Sequence, residues 1–205
     1  MDKTPIVYVV DDNAALRALF VELLSSVGHT VESFGSAEEF LARRVAVQPG
    51  CLVLDVRLPG TSGPELQKQL AADRDRIPII FVTGYGDIPL SVQAMKAGAV
   101  DFLQKPVREQ ELLETVRTAL RQDQAIRSND VEAEALMANY RTLTRREREI
   151  MKLVVTGQIN KQIAAQVGLS EVTVKIHRAQ VMRKMSTPTL PDLVRAADKI
   201  ETVSS

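Results

Sequence analysis

The chain has 205 residues, 45% hydrophobic and 25% charged, with a single cysteine. That is enough for one large or two modest domains with real cores. No apolar run approaches the ~20 residues that span a bilayer, and MDKTPIVYVVDD lacks the basic segment, apolar core and cleavage site of a secretory signal, so a soluble cytoplasmic protein without membrane partners is expected. Charge is unevenly divided: residues 1–140 hold fourteen basic against twenty acidic side chains, and 141–205 hold twelve against six. Such polarity suits an acidic module tethered to one that binds a polyanion. Cys51 can form no internal disulfide and is expected to pack as a small hydrophobe.

From residue 5 to about 120, short runs rich in β-branched residues alternate with segments of helical period. IVYVV (6–10) leads into Asp11-Asp12 and a helix over 14–27; TVESF (30–34), polar at its flanks like an edge strand, precedes a helix over 37–44. CLVL (51–54) leads to Asp55 and a helix over 63–72, and IIFV (79–82) leads to Thr83 and a helix over 88–97. VDFL (100–103) leads to Lys105-Pro106 and a helix over 109–120. Five such units imply an α/β domain, a doubly wound five-stranded parallel sheet with helices on both faces. The first, third and fourth strands, continuously apolar, are expected at its centre.

Residues 121–140 are polar and contain no proline or glycine, so they either continue the preceding helix or form a partly helical linker. Four helical segments follow, over 144–155, 161–167, 171–185 and 191–200, with Thr144, Asn160 and Ser170 as candidate N-caps and Gly157 and Gly168 as stops. The expected organisation is a domain over 1–121, a linker over 122–140 and an all-α domain over 141–205.

In an open α/β sheet ligands gather at the carboxyl ends of the strands. Here those ends carry Asp11, Asp12, Asp55, Thr83 and Lys105. Clustered carboxylates repel unless a hard cation joins them, and an oxygen-rich site that leaves room for water and phosphate suits Mg²⁺. Mg²⁺ and Lys105 together could neutralise a phosphoryl group. Taken alone, Asp12 could equally be a helix N-cap.

With these residues in this order, 5–120 resembles the receiver domain of two-component signalling. The resemblance implies that Asp55 accepts phosphate from a sensor histidine kinase, that Asp12 binds Mg²⁺ directly and Asp11 mainly through water, and that the Arg57 backbone carbonyl completes the protein ligands. It further implies that Thr83 and Lys105 hold phosphoryl oxygens, that Pro106 follows a cis bond, and that Phe102 changes rotamer as Thr83 moves. Any enzymatic turnover would be limited to slow autodephosphorylation. A Mg²⁺-dependent phosphatase of the haloacid-dehalogenase type is the competing reading, but its Asp-x-Asp-x-Thr/Val loop is absent from Val9-Val10-Asp11-Asp12-Asn13.

Residues 142–185 combine a short helix, a Gly-Leu-Ser turn and a longer basic helix, the pattern of a helix-turn-helix. At 100° per residue, Val174, Val181 and Met185 form a buried stripe flanked by Met182 and His177. Lys175, Ile176, Ala179, Gln180 and Arg183 then face away, placed to read base edges, with Lys161, Thr173 and Lys184 placed to hold phosphates. Arg178 falls near the buried stripe. The domain resembles the LuxR-type four-helix module, and the whole chain resembles the FixJ family through Gly86-Asp87-Ile88-Pro89, the run from Ala94 to Phe102, and Val181-Met182-Arg183-Lys184-Met185. Tyr85 and Val107 depart from the residues usual there. The implied partners are a sensor histidine kinase, promoter DNA, RNA polymerase and a second copy of the chain. The phosphorylated homodimer would form on the fourth helix, fifth strand and fifth helix, a face that displays Val92 and Lys96.

Overall fold

A computed structural model of the protein describes residues 4–43, 48–84 and 88–204. They fall into two compact units that divide between Arg127 and Ser128. The first holds strands β1 (Ile6–Val10), β2 (Thr30–Phe34), β3 (Gly50–Asp55), β4 (Ile79–Thr83) and β5 (Asp101–Gln104), with helices α1 (Ala14–Ser26), α2 (Ala37–Arg43), α3 (Gly63–Ala72) and α4 (Ile88–Lys96). All strand pairs are parallel, in the order β2-β1-β3-β4-β5.

Strand periodicity splits the apolar residues between two cores. Tyr8, Val10, Leu52, Leu54 and Phe81 pack on one face against Phe40 and Leu66. Val7, Val9, Val53, Ile80 and Val82 pack on the other against Phe20, Leu24, Leu112 and Val116. Strands buried on both faces must be apolar throughout, which is why β3 and β4 read as continuous hydrophobic runs and are fully buried. At the edge, β2 keeps Thr30 and Ser33 exposed. Truncating Phe81, which lies at the middle of this layer and is 0% exposed, to alanine would cost about 3–5 kcal/mol. The register pairs Val10 with Leu54, Asp55 with Val82, and Thr83 with Gln104. The carboxyl ends of four strands therefore finish level with one another.

The last helix of this unit, α5 (Glu109–Arg141), runs far past residue 120, so the expected linker is helical throughout and the division between units falls inside it. Residues 121–140 contain no breaker and are rich in good helix formers. Asp123 is buried in the first unit, and Leu136, Met137 and Tyr140 pack against the core of the second.

The second unit contains α6 (Arg145–Val155), α7 (Asn160–Val167), α8 (Glu171–Lys184) and α9 (Leu190–Ser204) around Ile150, Val154, Ile163, Val174, Val181 and Leu193. Thr144 caps α6: its hydroxyl accepts from Glu147 N–H at 3.2 Å, and the Glu147 carboxylate accepts from Thr144 N–H at 2.7 Å. Ser170 caps α8 by accepting from Thr173 N–H at 3.1 Å. Asn160 is not a cap. Ile159 holds that position, the Gln162 side chain accepts from its N–H at 3.0 Å, and the Asn160 carboxamide instead accepts from Arg178 at 2.7 Å.

Candidate functional site

Asp11 and Asp55 are 2% and 6% exposed, and Asp12 is exposed beside them. Carboxylate oxygens of all three lie within 4.8 Å of one another. Lys105, following β5, donates to Asp11 Oδ2 and to Asp55 Oδ2, each at 2.7 Å. Its backbone N–H donates to the Thr83 carbonyl at 2.7 Å, which ties the lysine to the end of β4, and the Lys105–Pro106 peptide is cis. Asp55 Oδ1 also accepts from Arg57 N–H at 3.2 Å. Thr83 is 2% exposed at the same end of the sheet.

One ammonium thus serves two buried carboxylates, with a third alongside. Burial raises the Asp55 pKa, and the Asp11 charge adds to it against the pull of Lys105 and Arg57. Burial opposes the Lys105 charge, yet the hydrogen bonds it donates to Asp11 and Asp55 outweigh it and hold its pKa above the ordinary lysine value. The pocket is over-acidic by construction. Oxygen donors at this spacing fit a hard divalent cation, to which Asp11, Asp12 and Asp55 could each give one oxygen. The cap reading of Asp12 falls away because Asn13 takes that position, its side chain accepting from Ala15 and Leu16 N–H at 3.0 and 3.1 Å.

In the second unit, α7, the turn at Gly168 and α8 form the helix-turn-helix. Val174, Val181 and Met185 are buried, whereas Lys175, Ile176, Ala179 and Arg183 are exposed and Gln180 half-buried. Lys161 is exposed on α7, and Thr173 is half-buried at the start of α8. Lys184 is placed differently: its ammonium donates to the buried Glu147 carboxylate at 2.6 Å and to the Thr142 carbonyl at 3.2 Å. A cation committed to a buried carboxylate is poorly placed to hold a phosphate, so the geometry gives Lys184 an internal role. Arg178, turned back onto Asn160, braces α8 against α7.

Residues 7–117 match the response regulator receiver domain, and residues 141–197 match the bacterial regulatory proteins of the luxR family. The chain is 49% identical over 95% of its length to nodulation protein W of Bradyrhizobium diazoefficiens, covering 86% of that protein. It is 41% identical over 93% of its length to the transcriptional regulatory protein FixJ of the same organism, covering 93% of it. The solved structure of the response regulator StyR, at 45% identity, superimposes with a TM-score of 0.82 over 96% of this chain and 99% of that one. The protein is a two-component response regulator of the FixJ family. Its receiver controls a LuxR-type DNA-binding domain, and its function is the regulation of transcription.

In this response regulator two residues that hold loops beside the pocket escaped sequence reasoning. Arg17 Nη1 donates to the Asp11 carbonyl at 2.6 Å and so fixes the loop that presents Asp11 and Asp12. Its only signal is that it is the sole cation in α1. Glu38 accepts from Thr61 N–H at 3.2 Å and from its hydroxyl at 2.7 Å, tying α2 to the loop after Asp55; the Thr61 hydroxyl above all, with the Glu38 backbone, Ser36 and the Thr61 N–H, lowers its pKa to about 2. Gly63 closes the loop: a Cβ there would lie 2.4 Å from the Asp55 carbonyl.

Phe102 is half-buried, its ring 6.3 Å from that of Phe81. Val92 and Met95 are 48% and 44% exposed on α4, where Lys96 is exposed too. Val107 packs against the second sheet-face core, while Tyr85–Asp87 lie outside the described residues. Cys51 is buried, and that burial, with the Asp123 charge, pushes its thiol pKa well up. No helix among the described residues is long and apolar enough to cross a membrane.

Proposed function

We propose that Asp55 is the phosphoacceptor and that its phosphorylation by a sensor histidine kinase drives dimerisation and DNA binding. The observation that carries this reading is the Lys105 ammonium at 2.7 Å from both Asp11 and Asp55, inside a cluster with more acid than base. An Asp55 oxygen attacks phosphorus, the bond from phosphorus to the kinase histidine nitrogen breaks, and an acyl phosphate is left in the pocket. Lys105 pairs with one phosphoryl oxygen and the Thr83 hydroxyl donates to another, while Asp12, Asp55, the Arg57 carbonyl and, mainly through water, Asp11 would hold Mg²⁺. The bound ion supplies charge neutralisation on the phosphoryl oxygens. Beyond slow loss of this phosphate the chain is not an enzyme.

Thr83 and Phe102 connect the pocket to the α4 face. Movement of Thr83 toward phosphate leaves room for Phe102 to turn inward and remodels the surface that carries Val92 and Lys96. That face then pairs with its symmetric copy. In the cytoplasm the dimer holds two half-sites of promoter DNA, with Lys175, Ile176, Ala179, Gln180 and Arg183 reading bases and Lys161 and Thr173 holding phosphates, and it activates RNA polymerase. A single small helix-turn-helix reads only one half-site, so joining two raises the effective concentration at the second.

Intact-mass analysis after incubation with acetyl phosphate and Mg²⁺ tests the acceptor. One added phosphate is expected, lost with chelator and absent from Asp55→Asn. Equal labelling of Asp55→Asn contradicts the assignment.

A further inference from the structure

One buried carboxylate of the first unit takes no part in the acidic pocket. Asp123, on α5 and beyond the 7–117 receiver match, is 3% exposed. Its Oδ2 accepts from Gly50 N–H, at the first residue of β3, at 3.0 Å and from Arg127 Nε at 2.8 Å. Arg127 Nη2 in turn donates to the Gln48 carbonyl at 2.9 Å. Buried carboxylates persist where they are paired and hydrogen-bonded, and here both conditions are met by the segment that enters β3. The strands leave no slack: a Cβ at residue 50 would lie 2.0 Å from the Ile6 carbonyl oxygen. A single helical turn of α5 is thereby bolted to β3, whose other end is Asp55.

Past this turn α5 buries no side chain for five residues, although Glu132 accepts from the Lys199 ammonium at 2.8 Å. Ser128, Asn129, Asp130, Val131 and Glu132 are exposed, Val131 at 65%, before Leu136 and Met137 pack in the second unit. A helix in water without a packed face is marginal, so the turns on either side must hold it. We infer that Asp123 and Arg127 are positioning residues for the output of the regulator: they extend the rigid receiver along α5 to residue 127 and fix the helical phase in which the chain leaves it. A change at the phosphorylation site then reaches a helix that is held to the receiver; without the clamp, fraying of α5 after residue 120 absorbs it. This inference rests on the phosphorylation reading above.

The test uses full-length wild-type protein, Arg127→Gln and Asp123→Asn, with a DNA duplex selected from a random pool by phosphorylated wild-type protein. Arg127, whose side chain is 31% exposed, is the change that keeps the receiver folded, which undiminished phosphate uptake verifies. Both variants are expected to show faster amide exchange over 122–127 and at least a fivefold smaller phosphorylation-dependent gain in affinity, with the affinity of unphosphorylated protein unchanged. A full gain in Arg127→Gln despite fast exchange over 122–127 overturns the coupling role. Unchanged exchange in both variants overturns the clamp itself. Absence of any gain in phosphorylated wild-type protein overturns the phosphorylation reading, and the coupling with it.

Discussion

The receiver and the DNA-binding domain each bury carboxylate beside a lysine, in opposite proportions. In the receiver, Lys105 is shared between Asp11 and Asp55, with Asp12 close by. In the DNA-binding domain, Glu147 is the one carboxylate paired with Lys184; it also accepts from Thr144 N–H and donates its own N–H to the Thr144 hydroxyl. The balanced pair completes a capping box and ties the start of α6 to the end of α8; nothing is left over to react. The unbalanced cluster leaves carboxylate charge unmatched in a pocket where like charges repel, and such a site gains by taking up a cation, whose charge can in turn neutralise an incoming phosphoryl group. If Asp55 is the phosphoacceptor as proposed, charge stoichiometry, rather than burial, separates that site from the scaffold.

The largest effect that follows is kinetic. Lys105→Ala should slow phosphate uptake from acetyl phosphate about 100-fold, measured by stopped-time intact mass in saturating Mg²⁺; an unchanged rate would make Lys105 a scaffold residue like Lys184. Next, Glu147→Gln should cost the DNA-binding domain about 2 kcal/mol at neutral pH, from a charge-assisted pair with one largely buried partner. Burial opposes the Glu147 charge, but the bonds from Lys184 and Thr144 prevail and hold its pKa below the ordinary value. Its stabilisation is therefore full above the unfolded carboxylate pKa and is lost as pH falls through the folded one. The urea midpoints of wild type and variant should converge in acid, and a gap that is constant with pH would show that packing, not charge, is responsible.

The reverse is expected in the receiver. Asp55→Asn, which removes charge from an over-acidic cluster, should raise metal-free stability by about 1 kcal/mol, and a loss of similar size would contradict the comparison. Smallest are the effects on base reading. Lys175→Ala and Ile176→Ala should relax base preference in binding-site selection, while Lys161→Ala should weaken binding to all sequences and reduce the salt slope by about one unit. Unchanged preference in the first two would move the readout to other residues.

Much of this was legible in the chain because strand ends are legible. IVYVV-Asp11-Asp12, CLVL-Asp55 and IIFV-Thr83 each couple an apolar run to a polar residue, and parallel pairing alone brings those residues together. The buried stripe of α8 followed from helical period. Contacts made across long sequence separations were not legible. Asp123 binds an amide 73 positions away and Lys184 binds Glu147 across 37, while Arg17, only six positions from Asp11, serves a backbone carbonyl that no side-chain pattern marks. None leaves a periodic trace. The length of α5 was ambiguous for a different reason: a polar segment without breakers is helical only if its ends are held, and that depends on tertiary partners.

The central claim is that phosphorylation of Asp55 is read out as association through α4. Sedimentation velocity of the full chain, with and without Mg²⁺ and the phosphate mimic beryllofluoride, tests it directly. A shift from monomer to dimer only when both are present, abolished by Lys96→Glu, is the predicted result. An unchanged mass in all conditions, or a dimer indifferent to Lys96→Glu, would contradict it.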